Sequence, residues 1–194
     1  MKIEFRPKHS TVDHDIALRH IIEKVWGDKE EVLCCVVDFK KAFDTVPRDK
    51  LWRRMEELEI PLHYRVVVHR LYEEVKVKIR TSIGISESFR SDIGAKQGCP
   101  LSPNLFGLYI DKLKEWLNLQ GRDGVWSGEF VIKLLLYVDG LVLISKSAHG
   151  LQMHLYSLEN FCRAVEMQVN ITIFSNKGRR VGIHSSLTTK FLKK

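Results

Sequence analysis

Residues 133–145, Lys-Leu-Leu-Leu-Tyr-Val-Asp-Gly-Leu-Val-Leu-Ile-Ser, leave this chain little choice of local structure. Two apolar runs flank Asp139-Gly140. Asp-Gly between apolar runs is a strong hairpin signal, because a type I′ turn needs positive φ at both central positions. The spacing predicts paired strands over 134–138 and 141–144, with Asp139-Gly140 as the turn. Both runs are apolar throughout, so the hairpin is expected to be buried. A carboxylate at the tip of a buried hairpin is costly unless something pairs with it. A metal ion shared with a second carboxylate meets that need.

The second carboxylate is Asp38. Residues 32–37 form a six-residue apolar run, expected as a central strand buried on both faces, and Asp38 ends it. If the two strands are neighbours, Asp38 and Asp139 project at one edge. Two carboxylates can hold Mg²⁺, which keeps some waters and completes its shell from substrate phosphates. Two such ions clamp the attacking and leaving oxygens of a phosphoryl transfer. A structural reading stands beside this one: Asp38 caps the next element and Asp139 makes a turn.

Elsewhere the pattern gives a helix over 12–25, opened by Ser10 with Asp13 and directing Val12, Ile16, Ile21 and Val25 inward. Pro47 opens a helix to Leu58, and a second helix covers 62–74. Residues 75–80 and 85–89 alternate around Gly84, an amphipathic hairpin with one solvated face. Residues 94–103 are a loop whose glycines allow close backbone approach. Ser102-Pro103 starts an apolar helix to Leu119. Ser147 caps a helix with Leu151, Leu155, Leu158, Cys162 and Val165 on one stripe. Residues 168–174 read as an edge strand. The order implies helices on one side of a small antiparallel sheet, an α+β layer.

The charge of +7 is uneven, since residues 173–194 hold six cations and no acid, and the rest holds 25 cations and 24 acids. Residues 173–194 therefore read as a flexible basic tail. Cys34, Cys35, Cys99 and Cys162 lack zinc-ligand spacing and are expected as reduced thiols of an intracellular protein. His149 and His154 are in poor helical register for a shared zinc. No apolar run reaches the roughly 20 residues of a membrane span. No apolar region of a signal peptide follows Met1.

Five ordered segments together resemble the reverse transcriptases of non-LTR (LINE-type) retrotransposons. They are Phe5-Arg-Pro-Lys-His-Ser-Thr11 with Asp13; Asp38-Phe-Lys-Lys-Ala-Phe-Asp44; Gly94-Ala-Lys-Gln-Gly-Cys-Pro-Leu-Ser-Pro-Asn-Leu-Phe106; Tyr137-Val-Asp-Gly140; and Leu151 through Val169-Asn170. The resemblance implies a polymerase palm over 1–172 with a remnant of fingers at 1–30, the rest of the fingers and the thumb being absent. It implies RNA-directed DNA polymerase ancestry, with two-metal nucleotidyl transfer. Asp38 and Asp139 would be the catalytic metal ligands, for Mg²⁺ or Mn²⁺. Phe43 would be the steric gate against a ribose 2′-hydroxyl. Gln97 and Gly98 would lie along nucleotide and template, and Tyr137 beside them. The implied partners are an RNA template, a DNA primer and deoxynucleoside triphosphates, in nucleus or cytoplasm, with no membrane.

The chain departs from that family at Gly140, where the family has a second aspartate. It also lacks the lysine cluster expected after Asn170. A truncated, degenerate copy with weak or no catalysis is the expectation. A non-catalytic RNA- or DNA-binding remnant and an interaction domain are the alternatives.

Overall fold

The computed structural model describes residues 16, 19, 20, 23, 31–96, 98–118, 123–127, 129–137, 140–175 and 188–191, with Asn118, Ser127, Phe130, Tyr137 and residues 188–191 described for backbone only. In chain order the elements are β1 (Leu33–Phe39), α1 (Arg48–Glu57), α2 (Leu62–Glu73), β2 (Lys76–Val77), β3 (Arg80–Thr81), β4 (Gly84–Ile85) and β5 (Phe89–Arg90). There follow α3 (Ser102–Ile110), α4 (Leu113–Asn118), β6 (Val125–Ser127), β7 (Phe130–Ile132), β8 (Leu134–Tyr137), β9 (Gly140–Ser145), α5 (Ala148–Ala164), β10 (Val169–Ser175) and β11 (Thr188–Phe191). The chain divides into two compact units, residues 1–42 with 110–194, and residues 43–109.

The first unit is built on a five-stranded sheet in the order β11-β10-β1-β9-β8. The pairings of β10 with β1, β1 with β9 and β9 with β8 are antiparallel, and β11 joins β10 in parallel. Helix α5 packs on β1 and β9, and α4 packs on α5, where Trp116 meets Phe161 edge-on at 6.2 Å. This is the expected α+β layer. The helix-covered face is made by Val37, Leu141, Leu143 and Ile171, all buried. Leu151, Leu155, Leu158 and Cys162 of α5 meet it as one buried stripe, as the period of 3.6 predicts, while Val165 is only half-buried.

Strand β1 differs from the expectation. Its burial alternates, and Val36, in the middle of the sheet, is 40% exposed. Among the described residues of this unit, the helix packed on the sheet, α5, lies on one face. On the other face a satellite cluster of Val32, Val125, Leu135 and Ile144 covers one end, and the Asp38 end stays open. A run of six apolar residues therefore marks a central strand here without two-sided burial.

The expected edge strand is instead interior. β10 lies between β1 and β11 and runs through Ser175, past the boundary at 172–173. The segment read as a tail thus supplies the end of β10 and all of β11, because the unpaired edge of β10 has ladder hydrogen bonds to give.

The turn from β9 into α5 is fixed by Asp123. Its Oδ2 accepts from the hydroxyls of Ser145 at 2.8 Å and Ser147 at 2.6 Å. Its Oδ1 accepts from Lys146 N–H at 3.1 Å. Ser147 is the expected cap of α5, its hydroxyl accepting from Gly150 N–H at 2.9 Å. A Cβ on Gly150 would stand 1.4 Å from Asp123 Oδ2, so the glycine makes room for the carboxylate.

In the second unit, α1 and α2 pack through Trp52, whose ring lies 5.7 Å from Tyr72 and 5.3 Å from His69. The 75–90 hairpin forms as two short ladders, β2 with β5 and β3 with β4, and all its strand residues are exposed. Its apolar face is thus exposed as well, unlike the one-faced pattern expected. The long apolar helix predicted from Ser102 is split at Asp111-Lys112 into α3 and α4. Ile16 belongs to the first predicted helix and is helical, yet it is exposed rather than inward. That helix's start at Ser10 and Asp13 lies outside the described residues. No described helix is long and apolar enough to cross a membrane.

Candidate active site

Asp38 is the last polar residue of β1, and the register sets its company. It stands directly across from Gly140 on β9 and from Asn170 on β10. Directly opposed residues share a face. Asp38, Gly140 and Asn170 thus form one row on the open side of the sheet, next to the row of Val36, Val142 and Thr172. Asp38 is exposed there.

The β8–β9 hairpin closes with Tyr137 paired to Gly140. The two residues between them are therefore Val138 and Asp139, and Gly140 belongs to strand β9 rather than to the turn. Pairing with β1 outweighs the local preference of Asp-Gly for the turn positions, because it keeps Leu141 and Leu143 on the helix-covered face. Asp139 and Gln97 lie outside the described residues, as does the side chain of Tyr137. The chain neighbour of Asp139, Gly140, is set against Asp38. No group of three or more histidine, cysteine, aspartate or glutamate side chains converges among the described residues.

The second unit holds Phe43 and Gly98. Phe43 is half-buried and tilts against Phe106, with ring centroids 5.2 Å apart. Its carbonyl accepts from Ala95 N–H at 2.6 Å, and Val46 carbonyl accepts from Gly94 N–H at 2.9 Å. These bonds tie the glycine-containing loop to the segment that carries Phe43. Gly94 has φ +84°, and a Cβ there would stand 2.6 Å from the Asp44 carbonyl oxygen. Only glycine allows that approach. Gly98 has φ +77° with nothing within 4 Å of a Cβ, so its demand is conformational alone.

Arg48 holds the same loop and was not singled out by its sequence. It is buried, and donates to the carbonyls of Gly94 at 2.9 Å, Ser91 at 2.8 Å, Ile93 at 3.1 Å and Tyr72 at 3.3 Å. Its guanidinium lies 5.1 Å from the Tyr72 ring centre. Burial pulls its pKa below the ordinary arginine value. The Tyr72 hydroxyl accepts from Lys96 N–H at 3.3 Å and meets Ser102 Oγ at 3.3 Å. Ser102 in turn donates to Lys96 carbonyl at 2.6 Å, so its hydroxyl fastens the loop rather than capping α3. A signal for Arg48 did exist: a cation in the first turn of a helix opposes the dipole, so it needs partners elsewhere.

Comparison with known proteins bears on these pieces. Residues 2–175 match the family model described as reverse transcriptase (RNA-dependent DNA polymerase). The chain is 30% identical over 124 residues to the Retrovirus-related Pol polyprotein from type-1 retrotransposable element R2 of Nasonia vitripennis, covering 64% of this chain and 12% of that protein. It is 28% identical over 177 residues to the probable RNA-directed DNA polymerase from transposon BS of Drosophila melanogaster, covering 86% of this chain and 18% of that one. The chain thus spans less than a fifth of either relative. In fold it is similar to apo telomerase from Candida tropicalis, with TM-score 0.64, 16% identity, and coverage of 88% of this chain and 36% of that one. It is also similar to telomerase from Candida albicans in complex with a fragment of telomeric RNA, with TM-score 0.65, 12% identity, and coverage of 92% and 32%. The sheet with helices on one side is therefore a polymerase palm. Its curated relatives are polymerases of retrotransposable elements, and this chain belongs to the reverse transcriptase (RNA-dependent DNA polymerase) family.

Proposed function

We propose that this domain descends from an RNA-directed DNA polymerase, keeps the scaffold of its metal site, and has lost most of its catalytic power at Gly140. The observation that carries the reading is the row of Asp38, Gly140 and Asn170. An exposed carboxylate stands opposite a residue with no side chain, where the resemblance expects a second aspartate beside Asp139.

The reverse transcriptase family uses divalent metal ions, and the donor chemistry here fits one. Asp38 and Asp139 offer carboxylates and Asn170 an amide oxygen, all hard oxygen donors of the kind Mg²⁺ or Mn²⁺ takes. When bound, such an ion neutralises developing charge on phosphoryl oxygens. The chain's own residues do the rest. Phe43, braced on Phe106, supports a reading as the wall beside the sugar of an incoming deoxynucleotide. Arg48, Tyr72 and Ser102 hold the loop that leads to Gln97 and Gly98, along which template and nucleotide would run. Tyr137 stands at the end of the hairpin. With Gly140 the site carries one carboxylate fewer than its relatives. Loss of one such electrostatic element costs on the order of 10²–10³ in rate.

The substrates of this reading are an RNA template, a DNA primer and deoxynucleoside triphosphates, met inside the cell in nucleus or cytoplasm. Primer extension on an RNA template with Mg²⁺ or Mn²⁺ tests it, comparing the chain with Gly140→Asp. Incorporation by the variant alone supports the reading. Equal extension by both proteins overturns the role given to Gly140. No extension by either folded protein favours a second reading, a nucleic-acid-binding remnant without catalysis, whose motivation is the cluster of cations in residues 173–194.

A further inference from the structure

The positive charge of this chain sits in two places. Residues 173–194 carry six cations and no acid. Residues 75–91 carry Lys76, Lys78, Arg80 and Arg90 against Glu87 alone, a net of +3, which leaves the remainder of the chain at −2. The second cluster is the exposed β2–β5 hairpin.

The ladder registers order those cations. Lys76 pairs with Arg90, and Val77 with Phe89. Arg80 pairs with Ile85, and Thr81 with Gly84. Cross-strand partners share a face, so Lys76 and Arg90 stand side by side on one face and Val77 with Phe89 on the other. Between the two ladders the first strand has Lys78 and Ile79, and the second has Ser86, Glu87 and Ser88. One extra residue on the second strand is a bulge, and the main chain is still joined across it, Ile79 carbonyl accepting from Ser86 N–H at 2.9 Å. Along the first strand Lys76, Lys78 and Arg80 recur at every second position.

Lys76 and Arg90 each have an acid close by, Glu74 at 3.8 Å and Asp92 at 2.6 Å. Lys78 and Arg80 have no ion-pair partner among the described residues. Cations held in a row on an exposed strand, two of them unneutralised, suit a polyanion with regularly spaced charges. The apolar side chains are exposed too: Phe89 is half-exposed, and Ile83 at the tip is 97% exposed.

We propose that the 75–90 hairpin is an RNA-binding arm, whose Lys76, Lys78, Arg80 and Arg90 contact the phosphate backbone. This rests on reading the domain as one that engages a nucleic acid, and it adds a contact outside the residues assigned to chemistry. The charge is complementary, and the ribbon is exposed along its whole length.

The test is binding of the full chain to a fluorescein-labelled single-stranded RNA, followed by anisotropy across a salt series. Each phosphate contact with a single strand contributes a slope of about 0.7 in log K against log salt. Lys78→Gln with Arg80→Gln should lower the slope by about 1.4 and the affinity roughly tenfold at moderate salt. Both side chains are exposed, so circular dichroism and the melting temperature should not move. A variant with Lys177, Arg179 and Arg180 changed to Gln measures the other cluster in parallel. An unchanged slope in the hairpin variant overturns the proposal and leaves the arm to a protein partner on its apolar face. Absence of RNA binding by the parent chain at low salt overturns it as well. No step of polymerisation enters the measurement, so failed primer extension and a failed hairpin are told apart.

Discussion

The Arg48 guanidinium donates from Nε to the Gly94 carbonyl at 2.9 Å, joining the first turn of α1 to a loop 46 residues further on. Three more carbonyls share the same side chain. Arg48→Met leaves them short of a donor in a buried place. The loss of charged hydrogen bonds and the orphaned acceptors should together cost about 2–4 kcal/mol. Arg48→Lys replaces a fork by a point charge and should recover only part of this. Urea denaturation of the three proteins measures both.

Gly94 and Gly98 separate conformational demand from steric demand. Gly94→Ala meets the Asp44 carbonyl as well as a positive φ, whereas Gly98→Ala meets only the positive φ. The second change should cost about 1 kcal/mol and the first at least about 2 kcal/mol. Equal losses in denaturation midpoint would refute the packing argument for Gly94.

Gly140→Asp places a carboxylate opposite Asp38. Without metal, like charges across strands should cost up to about 1 kcal/mol. A bound divalent ion removes that repulsion, and at ten times its Kd it adds about 1.4 kcal/mol. For a chain of this size that is a rise in Tm of about 3–5 °C. Mg²⁺ should therefore raise the Tm of the variant more than that of the parent. Thermal melts with and without Mg²⁺ check this, and equal shifts would count against a metal site at this row.

His154 gives the fold an acid sensitivity. It is fully buried on α5, and neither ring nitrogen has a hydrogen-bond partner among the described residues. Burial pulls its pKa below the ordinary 6.5; Asp123 opposes that shift and Lys133 adds to it. The unfolded chain therefore takes up a proton first as pH falls, and stability declines below about pH 6.5. Asp123 adds a second decline at lower pH. Burial pushes its carboxyl up, but hydrogen bonds from Ser147, Ser145 and Lys146 outweigh that and hold it below 3.8. Its contribution is present above that value and lost as pH falls through the folded value. His154→Leu should flatten the decline that begins below about pH 6.5 while leaving the lower one in place. Denaturation midpoints across both declines measure it.

Thiol chemistry should be selective. Burial pushes Cys34 up to about 11, and Cys35 and Cys162 up to about 12, with the neighbouring Cys34 and Glu159 adding to the last two respectively. The thiolate is the reactive form. At pH 7.5 the folded chain should show one fast thiol toward an aromatic disulfide reagent, the half-buried Cys99, and three that react on unfolding.

Periodicity was a good guide where burial is one-sided, as along α5, whose stripe and Ser147 cap are both legible in residues 147–162. It was silent on the break at Asp111-Lys112, because Ile110 and Leu113 on either side are both buried at helical spacing. It mistook β1 for a strand covered on two faces, since an apolar run cannot say how many layers a sheet receives. The pairing of Asp38 with Gly140 joins positions about a hundred residues apart, and strand order is not written in any local pattern. Arg48 acts on main-chain carbonyls, which leave no trace in the spacing of side chains, and Asp123 binds Ser145, Lys146 and Ser147 from more than twenty residues away.

At the row of Asp38, Gly140 and Asn170 the strands are joined through main-chain groups, which every residue but proline supplies alike. Folding and proteolytic surveillance sample that ladder and the buried face beneath it, and the side chain at position 140 enters only through the small repulsion across from Asp38. A copy with aspartate there and a copy with glycine would pass the same inspection in the cell. On the function proposed above, chemistry at this position is lost without loss of the fold, and the folded domain outlasts the reaction.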